Sequence, residues 1–411
     1  MTSATATQVP AQTTARSHLR WIVGLAVAAR ALVAGVFFHV NPVVGLRHWG
    51  YENVSIALSL HAGHGYSSPF LFPSGPTAFM PPGYPLLIAG FMRVLGIDTA
   101  ATVALIVFQI LLSVLTVVLV HRVTRRFFGM RAGNFAAFVC AVAEPLLLAP
   151  FYIWDTCLSG LILVAAIGVA PDLRRRRDFS AAGLACAVAA LINPALLPTL
   201  LAIAAWSAWR ARIVPWLGLL CFLVAFAPWP IRNYATMHAF IPLRSNSGFE
   251  LWLGNHPGST GESDLFDRPS FDAAERHLFL AEGELGYMHQ KGDLAKAWIR
   301  EHPRGFAVFT ARRFVHFWTG TSKSPGPMSV ALVALGIAGL VLLWRSRQMF
   351  LLFALPLLIY PLPYYITHAD ARYQYVIDPV LAILAGFACE SFFAWYARRP
   401  APSPTFANSI Q

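Results

Sequence analysis

The sequence predicts an all-α polytopic membrane protein, a bundle of about ten transmembrane helices with periplasmic loops and interfacial helices. Hydrophobic residues make up 57% of the 411-residue chain and charged residues only 12%, about half the charged share of a soluble domain. The apolar residues come in blocks of roughly 13–22, many of them hydrophobic all round, as membrane spans are. Basic residues cluster between these blocks, which is the positive-inside pattern of membrane proteins.

Ten apolar blocks are predicted to cross the membrane. Their approximate bounds are 21–38, 99–120, 135–148, 157–170, 181–192, 195–209, 214–226, 328–344, 350–366 and 376–396. Arg30 interrupts the first block, so we expect its side chain to face the bundle interior or a cavity. The run 83–95 is short and flanked by Gly and Pro, which favours an interfacial helix over a span.

The distribution of arginine predicts the orientation of the chain. Arginine clusters follow the even-numbered blocks, whereas the other ends carry mainly Asn, Gly, Pro, His and acidic residues. This asymmetry predicts a multi-pass protein of the bacterial inner (plasma) membrane with both termini in the cytosol. It also accounts for the net charge of +12, so nucleic acid is not expected as a partner.

The predicted organisation follows from these blocks. It comprises a disordered cytosolic N-terminus 1–19, a transmembrane core 20–230 that includes the first periplasmic loop 41–82, a periplasmic and interfacial segment 231–326, C-terminal transmembrane helices 327–397 and a cytosolic tail 398–411. Within the segment 231–326, the run 293–301 has helical character. The aromatic, amphipathic run 306–318 suits a helix on the membrane surface.

Metal and nucleotide motifs are absent from the sequence. The five cysteines lie in or beside apolar blocks without Cys-x-x-Cys spacing, so we interpret them as buried thiols, not as disulfides or a zinc site. His61 and His64 lie three apart, with His48 nearby, but no third ligand follows at a fixed spacing. No cofactor is therefore assigned from the residues.

Glu52 is the candidate catalytic residue. The run 51–61 has helical spacing and would present this single carboxylate just outside the membrane. It could act as a general base that takes the proton of an acceptor hydroxyl as that hydroxyl attacks a sugar carbon. The alternative is a helix-start carboxylate that is stabilised by the helix dipole. The following Pro- and Gly-rich run 75–85 fixes an irregular backbone, which either positions functional groups or simply connects two helices.

Three arginines are candidate ligands of a lipid phosphate. Arg232 lies at the outer edge of the seventh block, Arg244 follows it, and Arg372 opens the tenth block. Arginine binds phosphate oxygens through two parallel hydrogen bonds. The alternatives are headgroup snorkelling for Arg232 and Arg244, and a structural pair between Arg372 and Asp378.

Further polar residues at the same outer ends are predicted to line one cavity. They are Tyr51, His64, Tyr84, Asp155, Asn255 and Tyr373. Asn255 can bond hydroxyl groups, and Asp155 has a competing interpretation as the cap of the fourth span.

Together these stretches resemble the GT-C membrane glycosyltransferases, in particular the bacterial glycosyltransferase family 39-like proteins. These are relatives of the protein mannosyltransferases and of the aminoarabinose transferase that modifies lipid A. The resemblance covers about residues 20 to 396 and rests on seven short segments. They are 50–53, 61–70, 75–85, 228–234, 242–246, 251–255 and 372–379.

The resemblance implies a polyprenyl-phosphate-linked sugar donor at the outer leaflet and an envelope acceptor that is a lipid, a glycan or a protein. It also implies that Glu52 serves as the base and that Arg232 and Arg372, and less directly Arg244, bind the donor phosphate. Two departures stand out. Glu52 lacks the second acidic residue that many relatives carry beside it, which leaves the use of a divalent metal open. The pair 193–194 is Asn-Pro, where relatives often have Arg-Pro.

Two alternatives share the spans and the cationic outer edge. One is a transporter or flippase for a lipid-linked molecule, and the other is a non-catalytic binding partner for a lipid-linked envelope precursor. A transporter places ionisable residues near the bilayer midplane and often has repeated halves. This chain keeps its ionisable residues mostly at span ends and shows no internal repeat, which favours the enzyme. The sugar, the acceptor and the oligomeric state do not follow from the sequence.

Overall fold

The computed structural model describes residues 16–41, 44–49, 51–262, 267–321 and 324–398. Most of the predicted terminal segments 1–19 and 398–411 lies outside these residues. The described chain forms nineteen α-helices. Their bounds are α1 Leu19–Val40, α2 Glu52–His61, α3 Gly83–Leu95, α4 Thr99–Phe128, α5 Met130–Val142, α6 Glu144–Leu148, α7 Thr156–Val169, α8 Arg176–Ile192, α9 Leu196–Ala211, α10 Trp216–Phe226, α11 Pro228–Met237, α12 Ser247–Leu253, α13 Ala273–Glu301, α14 Pro303–Thr319, α15 Pro327–Leu342, α16 Arg347–Ile359, α17 Leu362–Ile366, α18 Ala371–Gln374 and α19 Asp378–Ala397.

The remaining regular structure is short. Four 3₁₀ turns cover Leu46–His48, Ala149–Phe151, Ala170–Asp172 and Leu343–Arg345. Strands β1 (Gly320–Thr321) and β2 (Ser324–Pro325) pair antiparallel. The five cysteines are free, and Cys140, Cys157 and Cys186 are buried, whereas Cys221 and Cys389 are partly exposed.

The helices confirm an all-α membrane protein. Six described helical segments are long and apolar enough to cross a membrane. They are Leu19–Val40, Thr99–Phe128, Trp216–Met237, Pro327–Arg345, Met349–Ile366 and Asp378–Ala397. The segments Met130–Val142 and Glu144–Phe151 make a seventh span if counted together, although they meet at 58°. Thr156–Asp172 and Leu196–Ala211 are apolar but shorter, so the count of ten crossings stays a prediction.

Arg30 explains how the bundle accommodates the bend between α5 and α6. It is fully buried in α1, as its place in an apolar block predicted. Its guanidinium donates to the carbonyl oxygens of Cys140 (3.3 Å), Ala141 (3.1 Å) and Leu146 (3.3 Å), and to the Ser113 hydroxyl (2.9 Å). A broken helix leaves such carbonyls without partners, which is costly in an apolar bundle. For Cys140 and Ala141, in the last turn of α5, the arginine therefore replaces backbone hydrogen bonds, and its bond to Leu146 links it to α6.

The first loop and the segment 231–326 pack together at one end of the bundle, which we call the outer end. Their shared apolar core contains Ile56, Phe70, Phe79, Phe249, Trp252, Phe279 and Tyr287. Helices α12 and α13 pack closely at Gly248. A Cβ atom added to this glycine would lie only 2.2 Å from the Met288 carbonyl oxygen. The helix predicted at 293–301 is the end of the longer α13.

A kink in α13 places a buried carboxylate that joins these segments. Gly283 has a positive φ of 67° inside α13, a conformation that favours glycine. The next residue, Glu284, accepts hydrogen bonds from the Ala78 backbone N–H (2.9 Å), the Ser245 hydroxyl (2.7 Å) and the Thr77 hydroxyl. Burial raises the pKa of Glu284 above its ordinary value, although these donors counteract the rise.

Helix α14 contains the amphipathic run predicted for the membrane surface, but one of its arginines points inward. Arg313 is buried and donates to the carbonyl oxygens of Gly261 (3.1 Å) and Ile366 (3.1 Å) and to the Asn255 side-chain oxygen (2.9 Å). Burial lowers the pKa of Arg313 to about 10. Arg313 therefore holds α14 against the loops at the outer end.

We predict that Arg30→Leu destabilises the protein by at least about 2 kcal/mol, because buried carbonyls without partners each cost about 1–3 kcal/mol. Thermal unfolding in detergent would show this as a lower midpoint. The midpoint of Arg30→Lys should lie between those of the parent protein and Arg30→Leu, since one ammonium group cannot reach every carbonyl. The control is Arg20→Leu on the same helix, where the side chain is exposed. Equal midpoints for the leucine variants would contradict the assignment.

Candidate active site

A cavity of about 320 Å³ lies where helix ends and loops meet at the outer end. Its wall is formed by five parts of the chain: the first loop, the α6–α7 connection, the α8–α9 connection, the stretch 244–268 and the region around α17 and α18. Its charged or titratable lining residues are Glu52, Asp155, Arg244, Glu250, Arg268, His368, Arg372 and the tyrosines 360, 364 and 373. The cavity therefore combines carboxylates with guanidinium groups.

Glu52 and Arg268 form a buried ion pair in the cavity wall. Glu52 is the first residue of α2, and one guanidinium N–H of Arg268 donates to its carboxylate oxygen. The side chains are only 7% and 10% exposed, so solvent screens the pair weakly. Burial alone would lower the pKa of Arg268, but Glu52 and Glu250 outweigh it and raise the pKa. The position of Glu52 in the first turn also fits stabilisation by the helix dipole.

A second charged cluster joins α12 to the loop before α18. The guanidinium Nη2 of Arg244 lies 3.2 Å from Glu250 Oε1. The other oxygen of Glu250 lies 3.5 Å from His368 Nδ1, and His368 Nε2 lies 2.7 Å from the Tyr373 hydroxyl. Burial would raise the pKa of Glu250, but His368 and Arg244 outweigh it and hold the pKa below its ordinary value. Arg244 also donates to the Phe79 carbonyl oxygen (3.0 Å).

Arg372 is held between a carboxylate and an aromatic ring. Its Nε lies 3.2 Å from Asp370 Oδ2, and its guanidinium carbon lies 4.2 Å from the centroid of the Trp154 ring. Burial would lower the pKa of Arg372, but Asp370 and other neighbours outweigh it and raise the pKa. The partner of Arg372 is therefore Asp370 and not the expected Asp378, which is buried at the start of α19.

Asp155 lies in the cavity wall, at the residue before α7. Its carboxylate accepts hydrogen bonds from the Ser159 hydroxyl (2.7 Å) and the Asn193 amide (2.8 Å). The side chain of Asp155 makes no capping hydrogen bond at the N-terminus of α7, so it does not act as the cap of this helix. Asp155 instead ties α7 to the Asn-Pro turn between α8 and α9.

Arg232 lies away from the cavity lining. Its guanidinium donates to the carbonyl oxygens of Thr77 (2.6 Å) and Tyr66 (2.6 Å). It also lies over the rings of Tyr66 and Trp229, at 5.2 and 5.5 Å from their centroids. Arg232 thus ties α11 to the first loop, and a role for it in binding phosphate stays a prediction.

Four other predicted residues also lie outside the lining of this cavity. Asn255 donates to the Leu251 and Ile366 carbonyl oxygens and anchors a loop. His64 faces a separate groove, and Tyr84 is buried in an apolar cluster beneath α2. Tyr51 lines a neighbouring groove of about 490 Å³.

The donor atoms of the cavity do not fit a metal ion. Among the residues that the structure describes, no three His, Cys, Asp or Glu side chains converge on one point. Glu52 faces a guanidinium, and Asp155 faces an amide and a hydroxyl. Acidic ligands of a divalent cation would need to turn away from these hydrogen-bond donors.

The comparisons support the resemblance to GT-C membrane glycosyltransferases. The family profile described as dolichyl-phosphate-mannose-protein mannosyltransferase matches residues 80–231, which is less than half of the chain. No curated protein matches the chain by sequence. Solved structures of similar fold include the oligosaccharyltransferase of Archaeoglobus fulgidus in complex with zinc and sulfate, with a TM-score of 0.51 and 16% identity over 92% of this chain and 49% of that one.

The same archaeal enzyme tethered to an acceptor peptide containing the NVT sequon matches with a TM-score of 0.52 and 16% identity, over 92% of this chain and 50% of that one. ArnT from Cupriavidus metallidurans bound to undecaprenyl phosphate has a TM-score of 0.49 and 18% identity, over 91% of this chain and 61% of that one. This chain thus spans about half the length of the archaeal enzyme. The archaeal structures, with TM-scores above 0.5, show that this chain shares their fold.

Sequence analysis did not single out Arg268, Glu250 or His368. Arg268 carried one usable signal, because it is an arginine in an acidic outer segment, against the positive-inside bias. Arg232 carries the same signal. Nothing local in the sequence marks Glu250 or His368, since the contacts that define them join distant parts of the chain.

We predict that Arg232→Gln destabilises the first loop by about 1.5–3 kcal/mol, the usual contribution of a hydrogen bond to a charged group. The loss should appear as a lower thermal midpoint and as faster proteolysis within residues 62–76. Arg304→Gln is the control, since Arg304 is exposed. Unchanged proteolysis in the Arg232 variant would show that the arginine does not hold the loop.

Proposed function

We propose that the protein is a membrane glycosyltransferase that uses a polyprenyl-phosphate-linked sugar donor. It would transfer the sugar to an envelope acceptor on the periplasmic face of the bacterial inner membrane. One observation carries the proposal: Arg244, Arg268 and Arg372 share a single outer cavity with the carboxylate of Glu52. The match to a family of lipid-phosphate-dependent mannosyltransferases supports the same class of donor.

The three arginines suit a phosphate that lies at the membrane edge. Each guanidinium offers several N–H donors in one plane, which match the oxygens of a phosphate. Donors fixed in a partly buried cavity also stabilise the negative charge that develops on a departing phosphate, at little cost in reorganisation. The lipid tail would extend between the spans, below the cavity.

The transfer is a single displacement at the anomeric carbon. The acceptor hydroxyl oxygen bonds to that carbon while the bond from the carbon to the phosphate oxygen breaks. The bonding electrons leave with the polyprenyl phosphate, and the hydroxyl proton passes to Glu52. The products are the glycosylated acceptor, with inverted configuration, and the lipid phosphate.

The outer segment 231–326 shapes the acceptor side in this proposal. Helix α12 contributes Ser247 and Glu250 to the cavity wall, and Arg268 follows on the stretch before α13. The first loop packs against the same segment, so Glu52 is held both by its own loop and by the outer segment. The acceptor would reach the cavity between these two parts of the chain.

The placement of charge favours an enzyme over a transporter. The charged cavity lies at the outer end of the bundle. Arg30, within the first span, is engaged by backbone carbonyls and the Ser113 hydroxyl. A carrier needs ionisable groups that its cargo meets near the midplane. The arginine clusters at the opposite helix ends support cytosolic termini under the positive-inside rule.

We predict that Glu52→Gln lowers sugar transfer by about 100-fold or more, because general-base catalysis is worth about 10²–10⁴. Complementation of a deletion strain, followed by mass spectrometry of envelope glycolipids and glycoproteins, measures the loss. The control is Asp293→Asn, which removes a carboxylate on the exposed face of α13. Full transfer by a stably folded Glu52→Gln variant would remove Glu52 from the chemistry.

We predict that Arg372→Gln and Arg244→Gln each weaken binding of undecaprenyl phosphate by about tenfold or more, since charge-assisted hydrogen bonds are worth about 1.5–3 kcal/mol. Binding to the purified full-length protein in detergent is the measurement. The Arg304→Gln variant, which removes an exposed arginine outside the cavity lining, should bind like the parent protein. Unchanged affinity in both cavity variants would contradict the assigned phosphate site.

A further inference from the structure

We propose that the donor phosphate and Glu52 compete for Arg268, so that the base becomes available to the acceptor only once the donor has bound. Arg268 then acts as a positioning residue that couples the two halves of the reaction. This inference rests on the proposed function, because it takes an anionic lipid phosphate as the competitor. It adds an order of events, with the donor binding before the acceptor.

The first support is the direction in which Glu52 points. Its carboxylate accepts from Arg268 inside the cavity wall. An acceptor hydroxyl must come within about 3 Å of that carboxylate to transfer a proton to it. The guanidinium covers Oε1 of Glu52. Separation of the pair therefore frees this oxygen for the acceptor hydroxyl.

The second support is the balance of charge around the cavity. Each of the three arginines lies beside a carboxylate: Arg244 beside Glu250, Arg268 beside Glu52, and Arg372 beside Asp370. An entering phosphate must therefore share or replace a carboxylate at one of these guanidinium groups. Phosphate and carboxylate use the same planar hydrogen-bond donors, which makes the exchange chemically direct.

The third support is the use assigned to each carboxylate partner. Glu250 and Asp370 lie beside Arg244 and Arg372 and have no assigned step in the transfer. Glu52, beside Arg268, is assigned as the base. Exchange at Arg268 therefore releases a group that the reaction needs.

A double-mutant cycle measures this competition directly. The affinity of the full-length protein for undecaprenyl phosphate is determined for the parent, Glu52→Gln, Arg268→Gln and the double variant. We expect Glu52→Gln to tighten binding by about tenfold, within the usual range of coupling between two sites. Arg268→Gln should weaken binding, and adding Glu52→Gln to it should then have no further effect.

A general electrostatic effect would also tighten binding in Glu52→Gln, so a second carboxylate serves as the control. Asp155→Asn removes a charge from the same cavity, where Asp155 bonds to Ser159 and Asn193. Its effect on affinity should be the same in the parent and in the Arg268→Gln background. Thermal midpoints verify that each variant is folded. If Arg268→Gln is unstable, Arg268→Lys replaces it, and Glu52→Gln should again tighten binding less than in the parent.

Equal tightening by Glu52→Gln with and without Arg268 would overturn the competition. The tightening would then come from the electrostatic field of the whole cavity and not from Arg268. No tightening in the parent background would overturn it as well. Failure of the parent protein to bind undecaprenyl phosphate is a different result. It would contradict the proposed donor class itself and remove the competitor that the inference requires.

Discussion

Guanidinium groups that are partly or fully buried beside carboxylates determine the architecture of the outer end. Arg268 beside Glu52 is the pair on which the rest depends, because it joins the first loop to the stretch between α12 and α13. Removing one partner from such a pair leaves an uncompensated buried charge, which typically costs about 3–5 kcal/mol. The cavity therefore keeps its carboxylates close to its arginines, and any anionic substrate has to enter a site whose charges already have partners.

Six of the ten predicted spans coincide with described helices that are long and apolar enough to cross a membrane. They were predictable because the signal is local: a block that is apolar all round has few structural options in a bilayer. Even Arg30 followed this logic, since a charge within a span must turn inward. Its bonds to the carbonyls freed by the bend between α5 and α6 could not be foreseen, because those carbonyls lie 110 or more positions further along the chain.

The site was only partly predictable because its contacts are long-range. The cavity brings together Glu52, Arg244, Arg372, Asp155 and Tyr373 from the predicted set. Arg232 carried the same outer-edge signal as Arg372, yet it is engaged by backbone carbonyls of the first loop. The partner of Glu52 lies 216 positions away. Sequence spacing identifies which residues can do chemistry, but only the fold shows which of them meet.

The most direct test of this account is an experimental structure of the full-length protein with undecaprenyl phosphate bound. The account predicts a phosphate within hydrogen-bond distance, about 3 Å, of Arg268 and Arg372, with the carboxylate of Glu52 turned away from Arg268 toward the cavity. A phosphate held elsewhere, for instance at Arg232, with Glu52 and Arg268 still joined, would contradict both the donor site and its coupling to the base.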